Sequence, residues 1–135
     1  MPDLTISSLD GDTALISDRI SAGKPTLVNL WATWCSACKR EIPQLQAIEE
    51  AGQIEVIGLS VDRPETAHRI PAYLKERNVT YDIYTADADQ VAERIFASDL
   101  AIPLSILLDE DGRVADVIPG GLRDAREWTE ESSDK

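Results

Sequence analysis

Cysteine and histidine are scarce in this chain of 135 residues, which has two cysteines and one histidine. The cysteines stand close together in one Cys-x-x-Cys motif, so they do not form the framework of a disulfide-stapled secreted domain. They are also too few for a four-thiolate metal site. A redox-active pair is the class of cysteine site that remains.

Basic residues are scarce as well: 13 lysines and arginines face 25 aspartates and glutamates, for a net charge of −12. This charge repels phosphate backbones and anionic lipid head groups, so we expect neither nucleic acid nor a membrane surface as a partner. An acidic surface favours basic protein partners, although solubility explains it more simply.

Long apolar runs are missing too. The chain opens with MPDLTISSL, which has neither the basic segment nor the apolar stretch of an export signal. We therefore expect no export signal and no membrane span within the chain as given. Length and composition predict one globular domain over residues 1–135, with a polar tail from about residue 131, and we expect a monomer.

The most informative stretch that is present is TLVNLWATWCSACKREIPQL, residues 26–45, where an apolar strand leads into the cysteine pair and then into a helix. Unpaired backbone N–H groups and the helix dipole favour a thiolate at a helix start. We predict that Cys35 is the attacking cysteine and that Cys38, one turn deeper, resolves the mixed disulfide. Pro43 should kink the helix.

The remaining pattern predicts alternating strands and helices. Strands are expected at 4–9, 13–16, 26–32, 54–61, 81–84, 104–108 and 113–118, and helices at 35–51, from 62–65 to about 77, 90–97 and 122–130. Asp-Gly pairs at 10–11 and 111–112 predict two hairpin turns. The two long strands around the helix at 35–51 predict a βαβ unit with parallel strands.

Three details of this pattern concern helix ends. Ser17 and Asp18 predict the cap of a further short helix that Gly23 ends. Asp62 is read first as a helix cap and second as an acid that lines the site. Pro71 should bend or interrupt the helix that follows.

The run WATWCSACKREIP resembles the active-site motif of the thioredoxin superfamily, and within it the TlpA-like thiol-disulfide oxidoreductases of the ResA and DsbE type. The resemblance implies an α/β, thioredoxin-like fold: a central mixed sheet flanked by helices, with an extra N-terminal β-hairpin. Asn29 takes the place of the buried aspartate of thioredoxin, which moves proton transfer toward Glu41. That role needs burial to raise the pKa of Glu41 to about 7; the alternative is a solvated helix acid.

The run AIPLSILLDEDGRV resembles the cis-proline loop of thioredoxin-fold proteins. An X-Pro bond is trans by default, so the cis expectation for Ile102 and Pro103 comes from the resemblance alone. In that fold the loop faces the cysteines and contacts the substrate backbone, which makes Ile102 and Pro103 predicted substrate-binding residues. Trp34 is the third, with packing at the rim of the core as its first expected role. Leu104 and Ser105 replace the usual threonines and leave substrate preference open.

The resemblance also implies a function. It predicts a protein-disulfide reductase that needs no cofactor, acts on a disulfide-containing protein and is recycled by a dithiol donor. The usual tasks of the TlpA-like group are the maturation of cytochrome c and of metal sites. The linking pair, Ser36 and Ala37, lacks a cation to stabilise the thiolate, which favours a reductant over an oxidant. The implied location is extracytoplasmic, in the periplasm or tethered to a membrane, with any signal or anchor trimmed; the alternative is cytoplasmic.

Two other functions compete with this one. A copper or zinc chaperone would use Cys35, Cys38 and His68, although His68 is expected on an exposed helix. A thiol peroxidase would share the fold, but tryptophan precedes Cys35 where peroxiredoxins have threonine.

Overall fold

The protein is seen here in a computed structural model that describes residues 1–20, 23–96 and 100–121. Within these residues, seven strands form one mixed sheet in the order β2-β1-β5-β4-β3-β6-β7. The strands are β1 (Thr5–Ser7), β2 (Thr13–Leu15), β3 (Thr26–Trp31), β4 (Glu55–Ser60), β5 (Asp82–Ala86), β6 (Leu104–Leu108) and β7 (Val114–Pro119). The helices are α1 (Ser36–Ala51), α2 (Pro64–Ala67), α3 (Ile70–Glu76) and α4 (Ala88–Val91). This confirms the α/β fold with a mixed sheet and an N-terminal hairpin.

Strand β3 lies inside the sheet and is buried along its whole length. It runs parallel to β4 and antiparallel to β6. Leu27 packs with Leu45 and Ile48 of α1, whereas Val28 and Leu30 belong to the core cluster on the other face. Each of these side chains contributes about 1.5–3 kcal/mol when fully buried. The carboxyl ends of β3 and β4 therefore lie side by side on a well-packed base.

Helix α1 begins and ends as the sequence predicts. Cys35 is its N-cap residue, and Gly52 ends it with a φ of 79°, a backbone conformation that glycine adopts without strain. Pro43 lies within the helix on its exposed side. The helix thus fixes the cysteine pair at the edge of the sheet.

The N-terminal hairpin extends the sheet by two strands. Strand β1 pairs antiparallel with both β2 and β5. The predicted turn is confirmed: the Ser8 N–H donates to the Asp12 carbonyl at 2.8 Å, and Gly11 has a positive φ. Leu4 and Ile6 are buried, so the hairpin is part of the core.

Two predicted helix caps are wrong, and one predicted interruption is confirmed. Ser17 and Asp18 do not cap a helix, because they lie inside a short 3₁₀ turn, Ile16–Arg19. The helix expected from 62–65 to about 77 is interrupted, as Pro71 predicts: it forms two helices, α2 and α3, and Pro71 lies in the first turn of α3, where no intrahelical hydrogen bond needs its missing N–H. Asp62 does not cap α2, since Arg63 occupies the N-cap position without a side-chain cap.

The remaining elements differ in smaller ways. The helix expected at 90–97 begins earlier, as α4, and continues as a π-helix over Ala92–Phe96. The β6–β7 hairpin is confirmed, with the Gly112 N–H donating to the Asp109 carbonyl at 2.9 Å. The helix expected at 122–130 and the polar tail lie outside the described residues. None of the helices in the described part of the chain is long and apolar enough to cross a membrane.

Candidate active site

The site is built around a disulfide between Cys35 and Cys38, whose Cα atoms are 5.3 Å apart. Cys35 directly precedes α1, and its Sγ accepts a hydrogen bond from the Cys38 N–H at 3.2 Å. Cys35 keeps 8% of its surface exposed and Cys38 only 1%. A molecule arriving from solvent can therefore reach the disulfide only at Cys35.

A tight turn connects β3 to α1 and presents Cys35. The Cys35 N–H donates to the Ala32 carbonyl at 3.2 Å, which leaves Thr33 and Trp34 as the central residues of the turn. Trp34 is 55% exposed, whereas Thr33 is half-buried. The turn thus projects one large aromatic ring into solvent beside the first sulfur.

The other tryptophan of the motif has a structural role. Trp31 is buried and stacks on Tyr73, with ring centroids 5.3 Å apart. The Arg77 guanidinium lies 3.8 Å from the centre of the Tyr73 ring. This stack ties α3 to the end of β3.

Glu41 is buried, with 2% of its surface exposed, so it is not a solvated helix acid. The Asn29 side-chain amide donates to Glu41 Oε1 at 2.6 Å and to Ser105 Oγ at 3.1 Å. This amide links α1 to β6. Ser105, noted in the sequence only as a departure from threonine, is therefore part of the polar interior of the site.

Tyr81 is a neighbour of Glu41 that sequence reasoning missed. Burial raises the pKa of the Tyr81 phenol, and the nearby Glu41 carboxylate raises it further. The Tyr81 hydroxyl next to Glu41 therefore keeps its proton. The sequence predicted Tyr81 only as the first residue of a strand, which does not indicate that it lies near Glu41.

The Ile102–Pro103 peptide bond is cis, as the resemblance implied. Leu104 pairs with Leu30 in the β3–β6 ladder, so the register places Pro103 level with the carboxyl end of β3. Pro103 is buried, Ile102 is half-buried, and the Pro103 carbonyl accepts from the Gly120 N–H at 3.0 Å. The loop therefore lies at the end of the sheet from which the cysteine turn departs.

Asp62 is a second buried acid at this end of the sheet, with 6% of its surface exposed. Its Oδ1 accepts from the hydroxyls of Thr33 and Thr66, each at 2.6 Å. Its Oδ2 accepts from the Thr33 N–H at 2.9 Å and from the Ser60 hydroxyl at 2.7 Å. Burial alone would raise the pKa of Asp62, but these hydrogen bonds outweigh it and hold the pKa below its ordinary value.

His68 does not join the cysteines. It is exposed at the end of α2. Across residues 1–20, 23–96 and 100–121, no three histidine, cysteine or acidic side chains cluster in a way that could hold a metal ion. The metal site that the chaperone alternative requires is therefore not assembled in this part of the chain.

Comparisons with known proteins agree with this geometry. A family model described as the AhpC/TSA family matches residues 1–117. The thiol-disulfide oxidoreductase ResA of Geobacillus thermodenitrificans is 29% identical over 124 residues, which cover 90% of this chain and 68% of ResA. The sporulation thiol-disulfide oxidoreductase A of Bacillus subtilis is 24% identical over 132 residues, covering 93% of this chain and 77% of that protein.

Solved structures show the same fold. A thiol:disulfide interchange protein of the thioredoxin family from Chlorobium tepidum superposes with a TM-score of 0.76 at 23% identity, over 98% of this chain and 92% of that one. The family model covers most of the sequence, and the solved structure shares the fold. The chain belongs to the AhpC/TSA family and is a thioredoxin-like thiol-disulfide oxidoreductase.

Proposed function

We propose that the protein reduces disulfides in protein substrates, with Cys35 as the nucleophile and Cys38 as the resolving thiol. The Cys35 thiolate attacks one substrate sulfur, forms a mixed disulfide and expels the other sulfur as a thiolate, which takes up a proton. The Cys38 thiolate then attacks Cys35 Sγ, which releases the second substrate thiol and leaves the Cys35–Cys38 disulfide. A dithiol donor returns two electrons and two protons to the pair.

The observation that carries this assignment is the unequal position of the two sulfurs. Cys35 is the partly exposed N-cap residue, and its sulfur receives the Cys38 N–H at the positive end of the helix dipole. Both features favour a thiolate that meets the substrate first. Cys38 is enclosed, so it can react only with the neighbouring Cys35 sulfur, after that sulfur has formed the mixed disulfide with the substrate.

Glu41 is proposed as the proton acceptor for Cys38. It lies three positions after Cys38 on α1, so the two side chains share a helix face, and both are buried. A buried thiol needs a nearby group to take its proton before it can attack, since water is excluded. The Asn29 amide holds one carboxyl oxygen of Glu41 as an acceptor.

The proposed substrate surface consists of Trp34, Ile102 and Pro103. The exposed Trp34 ring offers apolar contact area next to Cys35. The cis-proline loop lies at the same end of the sheet, and extended substrate backbone would pair with the residue before the proline. Such a surface suits an unfolded or extended segment that carries a disulfide.

The linking pair favours reduction over oxidation, because neither Ser36 nor Ala37 adds a positive charge that would stabilise the thiolate further. The TlpA-like resemblance adds a narrower proposal: that the substrates are cysteines of cytochrome c or of metal sites, and that the protein works outside the cytoplasm. Peroxide reduction is disfavoured, since Trp34 and not threonine precedes Cys35.

Insulin reduction in the presence of a dithiol donor tests the proposal. Wild-type protein should catalyse turnover, Cys35→Ser should abolish it, and Cys38→Ser should accumulate a mixed disulfide that is visible on a non-reducing gel. Reduced wild-type protein alkylated with iodoacetamide is the control and should be inactive. Turnover that survives in Cys35→Ser would exclude Cys35 as the nucleophile.

A further inference from the structure

We infer that Asp62 is a positioning residue for disulfide exchange, because it holds the turn that carries Trp34 and Cys35. The inference rests on the proposed function for its catalytic consequence. Its structural basis is independent of the substrate. Asp62 touches neither sulfur in the described contacts; it acts through Thr33.

Asp62 holds the turn through two hydrogen bonds with Thr33. Thr33 donates its backbone N–H to Asp62 Oδ2 at 2.9 Å and its hydroxyl to Oδ1 at 2.6 Å. Because both bonds end on one rigid carboxylate, they fix the direction as well as the position of this residue. Thr33 is one of the two central residues of the turn that the Cys35 N–H closes on Ala32.

The carboxylate is itself held from the other side. Ser60 at the end of β4 donates to Oδ2 at 2.7 Å and accepts from the Asp62 N–H at 3.0 Å, while Thr66 of α2 donates to Oδ1 at 2.6 Å. Asp62 therefore joins three separate segments of the chain in one hydrogen-bond network. A helix cap would have needed only the backbone of α2, and Asp62 does not bind it.

The network has a specific effect on the reacting group. The Cys35 sulfur receives the Cys38 N–H only while Cys35 keeps its N-cap conformation, and the chain enters that conformation from the turn. Holding Thr33 also fixes the backbone of the turn at Trp34, whose ring is exposed. Loss of these hydrogen bonds with Thr33 should therefore weaken both the stabilisation of the Cys35 thiolate and the contact with substrate.

Two matched variants separate positioning from other effects. Thr33→Val and Thr66→Val each remove a 2.6 Å hydroxyl bond to the same oxygen of Asp62, but only Thr33 belongs to the turn. The readouts are the pH midpoint of Cys35 alkylation by iodoacetamide and kcat/KM for insulin reduction. Thermal unfolding of each variant reports the common loss of stability.

We expect Thr33→Val to raise the midpoint of alkylation and to lower kcat/KM about five-fold, the size of one lost hydrogen bond. Thr66→Val should leave both readouts near wild type, and Thr33→Ser, which keeps the hydroxyl, should restore them. If Thr33→Val fails to fold, Thr33→Ser takes its place in the test. The inference then requires that Thr33→Ser has the wild-type alkylation midpoint and the wild-type kcat/KM.

Equal changes in Thr33→Val and Thr66→Val would overturn the inference, since the effect would then follow the charge of Asp62 or overall stability. Unchanged readouts in Thr33→Val would overturn it as well. If wild-type protein reduces no insulin while the alkylation midpoints still separate the two variants, the proposed function fails and the positioning role of Asp62 stands.

Discussion

Two buried acids flank the disulfide, and they differ in the elements and the donors around them. Glu41 lies on α1 and accepts a hydrogen bond from the Asn29 amide, which also donates to Ser105. Asp62 follows β4 and accepts from hydroxyls and a backbone N–H of three segments. Both are almost fully enclosed, so burial alone does not distinguish them.

The donors do distinguish them. The hydroxyl and N–H donors around Asp62 point at the ionised carboxylate and hold its pKa below the ordinary value, so this acid stays charged. The Asn29 amide needs only an acceptor oxygen, which a carboxyl group offers with or without its proton. Asp62 therefore carries a fixed structural charge, whereas proton exchange by Glu41 is the role proposed above.

The largest expected effect is that of Glu41→Gln. Gln keeps an acceptor oxygen for Asn29 but cannot take a proton, so we expect insulin reduction to slow about 100-fold while the fold stays intact. Stopped-flow or turnover rates across pH measure this. Glu50→Gln, on the exposed side of the same helix, is the matched control. A Glu41→Gln enzyme with wild-type rates at every pH would remove the distinction between the two acids.

Asp62→Ala should lower stability in addition to its effect on exchange through Thr33. The change leaves the Ser60, Thr33 and Thr66 hydroxyls and the Thr33 N–H without this acceptor, which we expect to lower the free energy of unfolding by about 2–3 kcal/mol. Urea denaturation measures the difference. Glu65→Ala, an exposed acid in the first turn of α2, should change it by less than about 0.5 kcal/mol. Equal losses in the two variants would show that the Asp62 network contributes nothing special.

The dependence of stability on acidic pH tests whether Asp62 carries a structural charge. Because the folded-state pKa of Asp62 is lowered, its stabilising contribution is present above the unfolded value of about 4 and is lost as pH falls through the folded value. Wild-type stability should therefore fall as the pH drops below about 4. The stability of Asp62→Asn should fall less steeply with decreasing pH. Asp3 and Asp109, whose pKa values are also lowered, still contribute to this pH dependence. Parallel wild-type and Asp62→Asn curves would contradict this.

The smallest effect is expected for Trp34→Ala, which leaves both acids in place. Removing an exposed ring should change the free energy of unfolding by less than about 0.5 kcal/mol. We expect kcat/KM for insulin to fall about three-fold through KM, because only substrate contact is lost. A large loss of kcat instead would mean that Trp34 takes part in the exchange itself.

Local patterns were enough to predict most of the fold. The continuous apolar run of β3, the glycine that ends α1 and the Asp-Gly turns each act over a few residues, so the sequence predicts them well. The cysteine pair at the helix start follows from the same strand, turn and helix pattern. The cis bond before Pro103 has no local signal, and only the family resemblance implied it.

The errors come from partners that are distant in sequence. Asp62 before Pro64 is typical of a helix cap, but the carboxylate instead binds Thr33, 29 residues earlier in the chain. Ser17, read as a cap, donates to Asp3 through its hydroxyl at 2.7 Å. Tyr81 and Ser105 have no motif of their own and become part of the site only through the folded sheet. Tertiary contacts therefore decide the polar interior, which local propensity cannot describe.

The N-terminal hairpin also determines which strand is outermost. Strand β5 pairs with β4 on one edge, and its other edge is covered by β1, where Ile6 and Ser7 pair with Ala86 and Thr85. A form of the chain shortened past residue 15 would expose a row of unpaired N–H and C=O groups along β5, a template for strands of other copies. We therefore expect such shortened forms to self-associate and aggregate, a route that the intact hairpin closes.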